Sequence, residues 1–312
     1  RHTSFAGKTV LITGGSRGLG LVLARKFAEE HANVAICARN EEELIRARNE
    51  LLSYGVDVLG VQCDVTSRQQ VIGMIHGLTR HFGSIDVLVN NAGTISVGPM
   101  EAMTINDYEE AMRTHFWGPL YTTLSVLPQM KARQAGRIVN ISSIGGKIAT
   151  PHLLPYSASK FALVGFSEGL RAELIKDNVY VTTVCPGLMR TGSPRNAWFK
   201  GRHRDEYSWF AISDSLPPAS VSADTAARRI IRACRYGVAE TMVSFPSRMA
   251  TTFHGVFPGL TSELNAWINQ MLPEPGGIGT DRAFGSQSET DLTRSGLTAL
   301  TQEAAQANNE VW

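Results

Sequence analysis

Thr9-Val10-Leu11-Ile12-Thr13-Gly14-Gly15-Ser16-Arg17-Gly18-Leu19-Gly20 decides how the rest of the chain is read. The first five residues are apolar or β-branched and read as a strand. The glycines that follow read as a tight turn, and from Leu19 to Glu30 apolar residues recur at helical spacing. A glycine turn between a strand and a helix lets backbone N–H groups approach a pyrophosphate, and the helix start adds its positive dipole end. Gly14, Ser16, Arg17, Gly18, Leu19 and Gly20 are therefore candidate dinucleotide contacts.

Outward from that stretch the same rhythm repeats. Short apolar runs at Asn33–Ala38, Val56–Gln62, Ile85–Asn90, Arg137–Ser142 and Val179–Cys185 alternate with helical patterns such as Glu41–Tyr54. Runs apolar on both faces, Val10-Leu11-Ile12 and Val87-Leu88-Val89, predict helices above and below, hence an α/β fold with a doubly wound parallel sheet. Asn40 with Glu43 three residues later has the spacing of a capping box, so the Glu41–Glu43 run is a helix start. After Pro186 an irregular stretch runs to about Ser222, then a helix (Ala223–Tyr236) and an edge strand (Glu240–Phe245) complete the series. A single domain over 1–247, with an irregular insert at 188–222, is thus followed by a C-terminal helical extension and peripheral tail over 248–312. In that extension Arg248–Leu272 is amphipathic, with a break at Pro258-Gly259. Its Phe253, Val256, Phe257, Leu260, Leu264, Trp267 and Met271 suit packing on the parent domain, covering the pocket or a weak membrane-surface contact, with packing expected. Thr290–Asn308 is expected to dock as one helix through Ala299, Leu300, Ala304 and Ala307.

Composition narrows the function classes. The chain has 312 residues, 43% hydrophobic, ample for a buried core. With 30 basic against 28 acidic residues, no overall field favours a nucleic-acid partner. Cys37, Cys63, Cys185 and Cys234 are far apart and read as small core residues, so no disulfide or metal site is expected. Arg1–Lys8 shows no apolar signal region and no run is long enough to span a bilayer, which gives a cytoplasmic expectation.

The second strand ends in Ala38-Arg39, with no acid where a free ribose 2′-hydroxyl would be met. Arg39 and Arg17 therefore point to a 2′-phosphate, held by charge-assisted bonds, and so to NADP(H). Tyr156 and Lys160 stand at i and i+4 ahead of a helical pattern, so their side chains share one face. An ammonium about 4 Å from a phenol, at an effective dielectric of about 20, contributes roughly 4 kcal/mol, enough to bring a pKa of about 10 towards 7. Ser143 closes the strand Arg137–Ser142, at the sheet edge where ligands bind, with a hydroxyl suited to a developing alkoxide.

The TGxxxGxG loop, Asp64, Asn90-Asn91-Ala92-Gly93, Ser143, the YxxxK pair and Pro186-Gly187 together resemble the short-chain dehydrogenase/reductase family over about residues 5–245. The resemblance implies a Rossmann-type sheet in the order 3-2-1-4-5-6-7 and Tyr156 as the acid that protonates a carbonyl, or the base in the oxidative direction. It implies that Lys160 also binds the nicotinamide ribose, and it assigns Asp64, with Val65 beside it, to the adenine. Asn91, Ala92 and Gly93 fall to the central part of the cofactor, and Pro186, Gly187 and Thr191 to its nicotinamide end. The resemblance implies a substrate lid over 188–222 and a pocket that takes in Ile144, Leu153, Leu154, Leu188, Trp198 and Phe199, and the lid aromatics suit a bulky apolar carbonyl or alcohol. A homodimer or homotetramer is implied as well. One position departs: His115 stands where the family carries an asparagine that supports a water chain to the lysine. A proton path through His115 is the expectation, and a catalytically weak NADP(H)-binding sensor or scaffold is the second reading.

Overall fold

Alternating apolar strands and helices form one seven-stranded sheet: β1 (Thr9–Thr13), β2 (Asn33–Ala38), β3 (Val58–Gln62), β4 (Val87–Asn90), β5 (Gly136–Ile141), β6 (Val179–Cys185) and β7 (Glu240–Met242). The computed structural model describes residues 2–215, 220–294 and 298–311; parts of the expected lid (216–219) and of the expected terminal helix (295–297) lie outside the described residues. Every pairing in the sheet is parallel, in the order 3-2-1-4-5-6-7. Successive residues of β1 feed opposite layers. Val10 and Ile12 join the core formed with α1 (Gly18–Glu29) and α8 (Ala223–Tyr236), while Leu11 joins the core on the other face, beneath α3 (Arg68–Phe82) and α5 (Gly118–Ala132). Each such fully buried side chain contributes about 1.5–3 kcal/mol, which fixes the register of the sheet. The remaining helices of the domain are α2 (Glu41–Leu52), where Asn40 Oδ1 accepts from the Glu43 N–H at 3.0 Å, α4 (Ile105–Met112) and α6 (Leu154–Leu174).

The stretch after Pro186 is more ordered than its sequence suggests. Leu188–Arg190 pairs with Ser220–Ser222, and α7 (His203–Ser215) fills the interval. Lys200 is buried with its ammonium 2.6 Å from Asp107. The tail is not peripheral either. Ala283–Phe284 pairs with Trp198–Phe199, the Phe284 ring stacks on Trp198 at 3.8 Å, and Arg282 bridges Asp107 and Glu110 at 2.7 Å each. The terminal helix α11 (Ala299–Ala307) docks through Thr301 and Ala305 rather than the expected alanine face, because a Cβ on Gly192 would meet Ala305 and only a glycine there admits the close approach. Beyond β7 the extension forms α9 (Phe245–Val256) and α10 (Pro258–Asn269), split at Phe257. Its large apolar residues do not pack on the domain as expected; they face outward.

Candidate active site

The carboxyl ends of the strands open on a cleft of 430 Å³ lined from the glycine loop at one end to Tyr156 and Lys160 at the other. Its floor requires glycine. Gly14 has φ 63°, and a Cβ there would lie 2.9 Å from Ala92 Cα, while a Cβ on Gly20 would lie 2.1 Å from the Gly14 carbonyl oxygen. Asn91 holds loop and strand together, its Nδ2 donating to the Thr13 and Gly14 carbonyls at 3.0 and 3.1 Å. A backbone cradle at a helix start, too close for side chains, fits a pyrophosphate. Asp64, Val65, Ala92, Gly93 and Thr191 line the same cleft. The Asp64 carboxylate also accepts from Thr66 N and Oγ1, both at 2.9 Å, so it shapes the turn before α3. Gly187 lies against Ser247, and neither it nor Pro186 lines the cleft.

Of the two arginines expected at a 2′-phosphate, Arg39 stands exposed at the rim, but Arg17 is already paired. Its guanidinium lies 3.3 Å from Glu43 and 3.5 Å from Glu310, and Ser16 Oγ donates to Glu43 at 2.9 Å. Glu310 enters from the tail. There the Gly18 N–H, at the start of α1, donates to the Asn308 carbonyl at 2.9 Å, Asn309 Nδ2 donates to the Ser16 carbonyl at 2.9 Å, and Asn196 Nδ2 donates to the Glu310 carboxylate at 2.6 Å. Burial pushes the Glu310 carboxyl up to about 7, against the pull of Arg17 and Asn196. Sequence reasoning missed this residue because nothing local marks a glutamate 290 positions away as a neighbour of the loop.

At the other end, α6 presents Tyr156 and Lys160 one turn apart. Ser143 stands beside Tyr156, and its oxygen accepts from the Gly145 N–H at 3.0 Å. Lys160 Nζ donates to the Ile141 carbonyl at 2.9 Å and stands 5.6 Å from the centre of the Tyr156 ring. The phenol is not drawn towards 7 in this state, as the sequence suggested. Desolvation pushes Tyr156 up to about 12, with Ser143 opposing, and pushes Lys160 down to about 7. Burial of both groups outweighs their mutual attraction. Asp214 of α7, unmarked by any motif, is buried and pushed up to about 7 by desolvation, and its charge adds to the rise at Tyr156.

His115 sits in a π-turn (Arg113–Trp117), with its ring edge-on to Tyr156 at 5.4 Å. Its Nε2 accepts from the Thr94 N–H at 3.1 Å, and that assigns the proton to Nδ1, which donates to Ser159 Oγ at 2.7 Å. Burial and the Lys160 charge hold the ring well below its ordinary pKa, so it stays neutral. Both nitrogens are thus engaged within the fold, by Thr94 and Ser159. The substrate pocket also needs revision. Leu153 and Phe199 pack with Tyr207 and Phe210 in a core inside the lid, while Trp198, Phe284, Ile95 and Met189 line the cleft. Ile144, Leu154 and Leu188 are half-buried and do not line it. Among the described residues no cluster is suited to a metal ion.

A family model described as short chain dehydrogenase matches residues 8–199. The chain belongs to that family. It is 39% identical over 202 residues to a dehydrogenase/reductase SDR family protein 7-like of Anopheles gambiae, covering 63% of each chain. It is 35% identical over 187 residues to the ketoacyl reductase HetN of a Nostoc species, covering 60% of this chain and 65% of that one. The chain thus spans a little under two thirds of both relatives. The solved L-sorbose reductase of Gluconobacter frateurii, complexed with NADPH and L-sorbose, superposes with a TM-score of 0.69 at 27% identity, over 78% of this chain and 97% of that one. Short-chain dehydrogenases bind a nicotinamide cofactor, which the glycine cradle of this member fits.

Proposed function

We propose that this short-chain dehydrogenase uses NADP(H) to interconvert a carbonyl and a secondary alcohol on a substrate with an apolar body. The observation that carries the reading is the Tyr156–Lys160 pair, with Ser143 beside the tyrosine, at one end of the cleft whose other end is the glycine cradle. The cofactor, when bound, supplies or takes the hydride. Tyr156 gives its hydroxyl proton to the carbonyl oxygen, or takes it back in the oxidative direction. Ser143 donates a second hydrogen bond to that oxygen, and the Lys160 ammonium favours the phenolate left behind and holds the nicotinamide ribose. His115 acts as a positioning residue that fixes the α6 backbone through Ser159, whose hydroxyl in turn donates to the Tyr156 carbonyl at 2.8 Å.

Arg39, just after β2 and exposed at the cleft rim, supports the 2′-phosphate form, as does the NADPH in the sorbose reductase complex. The names of the two reductases support a carbonyl substrate. Trp198, Phe284, Ile95 and Met189 supply an apolar wall. Leu124 and Phe161, exposed on α5 and α6, support a homodimer or homotetramer. A panel of apolar ketones followed by loss of NADPH absorbance tests the reading, and tight NADPH binding with no turnover on any of them would replace it with the sensor or scaffold alternative.

A further inference from the structure

Helices α9 and α10 are built inside out for a chain in water. Their small polar residues face the domain: Ser247 and Thr261 are buried, and Asn265 Nδ2 donates to the Ala149 carbonyl at 2.9 Å. Their large apolar residues face away, with Phe245 71% exposed, Val256 64%, Trp267 58% and Met271 61%. Phe257 and Leu260, at the turn between the helices, are exposed as well, so the apolar surface continues around the tip. Contiguous exposure on this scale marks an interaction surface rather than ordinary apolar scatter.

The chemistry of the face selects its occupant. From Phe245 to Met271 the only charged residues are Arg248 and Glu263, so seating this face in hydrocarbon buries few charges. Its three threonine hydroxyls are satisfied within the helices. Thr251 Oγ1 donates to the Ser247 carbonyl at 2.9 Å, Thr252 Oγ1 to the Arg248 carbonyl at 2.9 Å, and Thr261 Oγ1 to the Phe257 carbonyl at 3.0 Å. Satisfying polar groups within the helix suits a hydrocarbon environment. Each helix has 12 residues, a length of roughly 18 Å against a hydrocarbon core of roughly 30 Å, so the hairpin is too short to span. Among the described residues no helix is long and apolar enough to cross a membrane. Ser244 and Ser247 lie against Gly187, so the hairpin begins against the loop that follows β6.

We propose that the α9–α10 hairpin is a monotopic lipid-docking surface, which seats the outward apolar face of these helices in one leaflet of a bilayer. Docking depends on apolar burial rather than charge, so it is insensitive to lipid headgroup charge.

The test is flotation of the full chain with phosphatidylcholine vesicles, with and without anionic phosphatidylglycerol, alongside the triple variant Phe253→Ser, Phe257→Ser, Leu264→Ser. The expected result is that the parent floats with neutral vesicles, changes less than about twofold with anionic lipid, and partitions at least tenfold more strongly than the variant. All three substituted side chains are exposed, so the circular dichroism melt should be unchanged. Brominated acyl chains should also quench a component of the parent's tryptophan emission that is lost in Trp267→Phe. A parent that stays with the lipid-free fraction overturns the proposal, as does a variant that floats equally well. Light scattering that shows a parent dimer converted to monomer by the triple variant, with no lipid partition in either, assigns the face to a second copy instead and overturns it too.

Discussion

Replacing Glu310 by glutamine isolates the electrostatics of the docked tail. The carboxyl lies beside Gly18, Arg17 and Asn196, and burial moves it from an ordinary 4.5 to about 7. Because its pKa is higher when docked than when the tail is open, docking takes up a proton. Its contribution is complete below about pH 4.5 and is lost as pH rises through 7. At about 1.4 kcal/mol per pK unit the full span is roughly 3 kcal/mol, of which about 2 kcal/mol falls between pH 5.5 and 8.5, or roughly thirtyfold in the opening equilibrium. The tail opens locally, so hydrogen exchange reads it better than a global melt. The reporters are the Asn308 and Glu310 amides, bonded to Ala304 and Ala305, and the Gly18 amide, bonded to Asn308. In the parent their protection factors should fall about thirtyfold across that range; in Glu310→Gln, neutral throughout, the fall should shrink to a few-fold. Equal pH dependence in the two proteins would refute the placement of this carboxyl in a dry site.

Four further outcomes follow from the same geometry. Tyr156→Phe removes the proton donor but not the cleft, so turnover should drop roughly 100- to 10,000-fold with NADPH affinity within about twofold; retained activity would remove Tyr156 from the chemistry. His115→Asn loses at least one of the bonds to Thr94 and Ser159, at a cost of about 1–3 kcal/mol in thermal or denaturant unfolding, and should leave the pH–rate profile where it was; a shifted profile would restore the proton path. Arg39→Ala should lower the preference for NADPH over NADH at least tenfold, measured as the ratio of kcat/KM values. Arg17→Ala should lower it less, because Arg17 is shared with Glu43 and Glu310. Lys200→Met leaves Asp107 buried with Arg282 as its remaining cation, and denaturant unfolding should register a loss of about 3–5 kcal/mol; a neutral result would show that the pair contributes little.

Local spacing was enough for the sheet, the glycine cradle and the Tyr156–Lys160 pair. Strand and helix periods, a turn that only glycine can make and an i, i+4 relation are all set by residues close in the chain. The same holds for the split between α9 and α10 at Pro258. What spacing left open was every contact across long separations. Whether Phe199 walls a cleft or packs beneath it depends on Tyr207 and Phe210 closing over it, and whether Arg17 is open to a phosphate depends on Glu43 and Glu310. The pKa of Tyr156 was misjudged for a related reason: a Coulomb term follows from spacing, but desolvation depends on what the whole fold excludes from the site. The hairpin marks the same boundary from the other side. Its amphipathic period was legible, but the sequence alone implied that its apolar stripe would turn inward. Only the tertiary structure shows Ser247, Thr261 and Asn265 filling the inward contacts, which leaves Phe253, Leu264 and Trp267 to face outward.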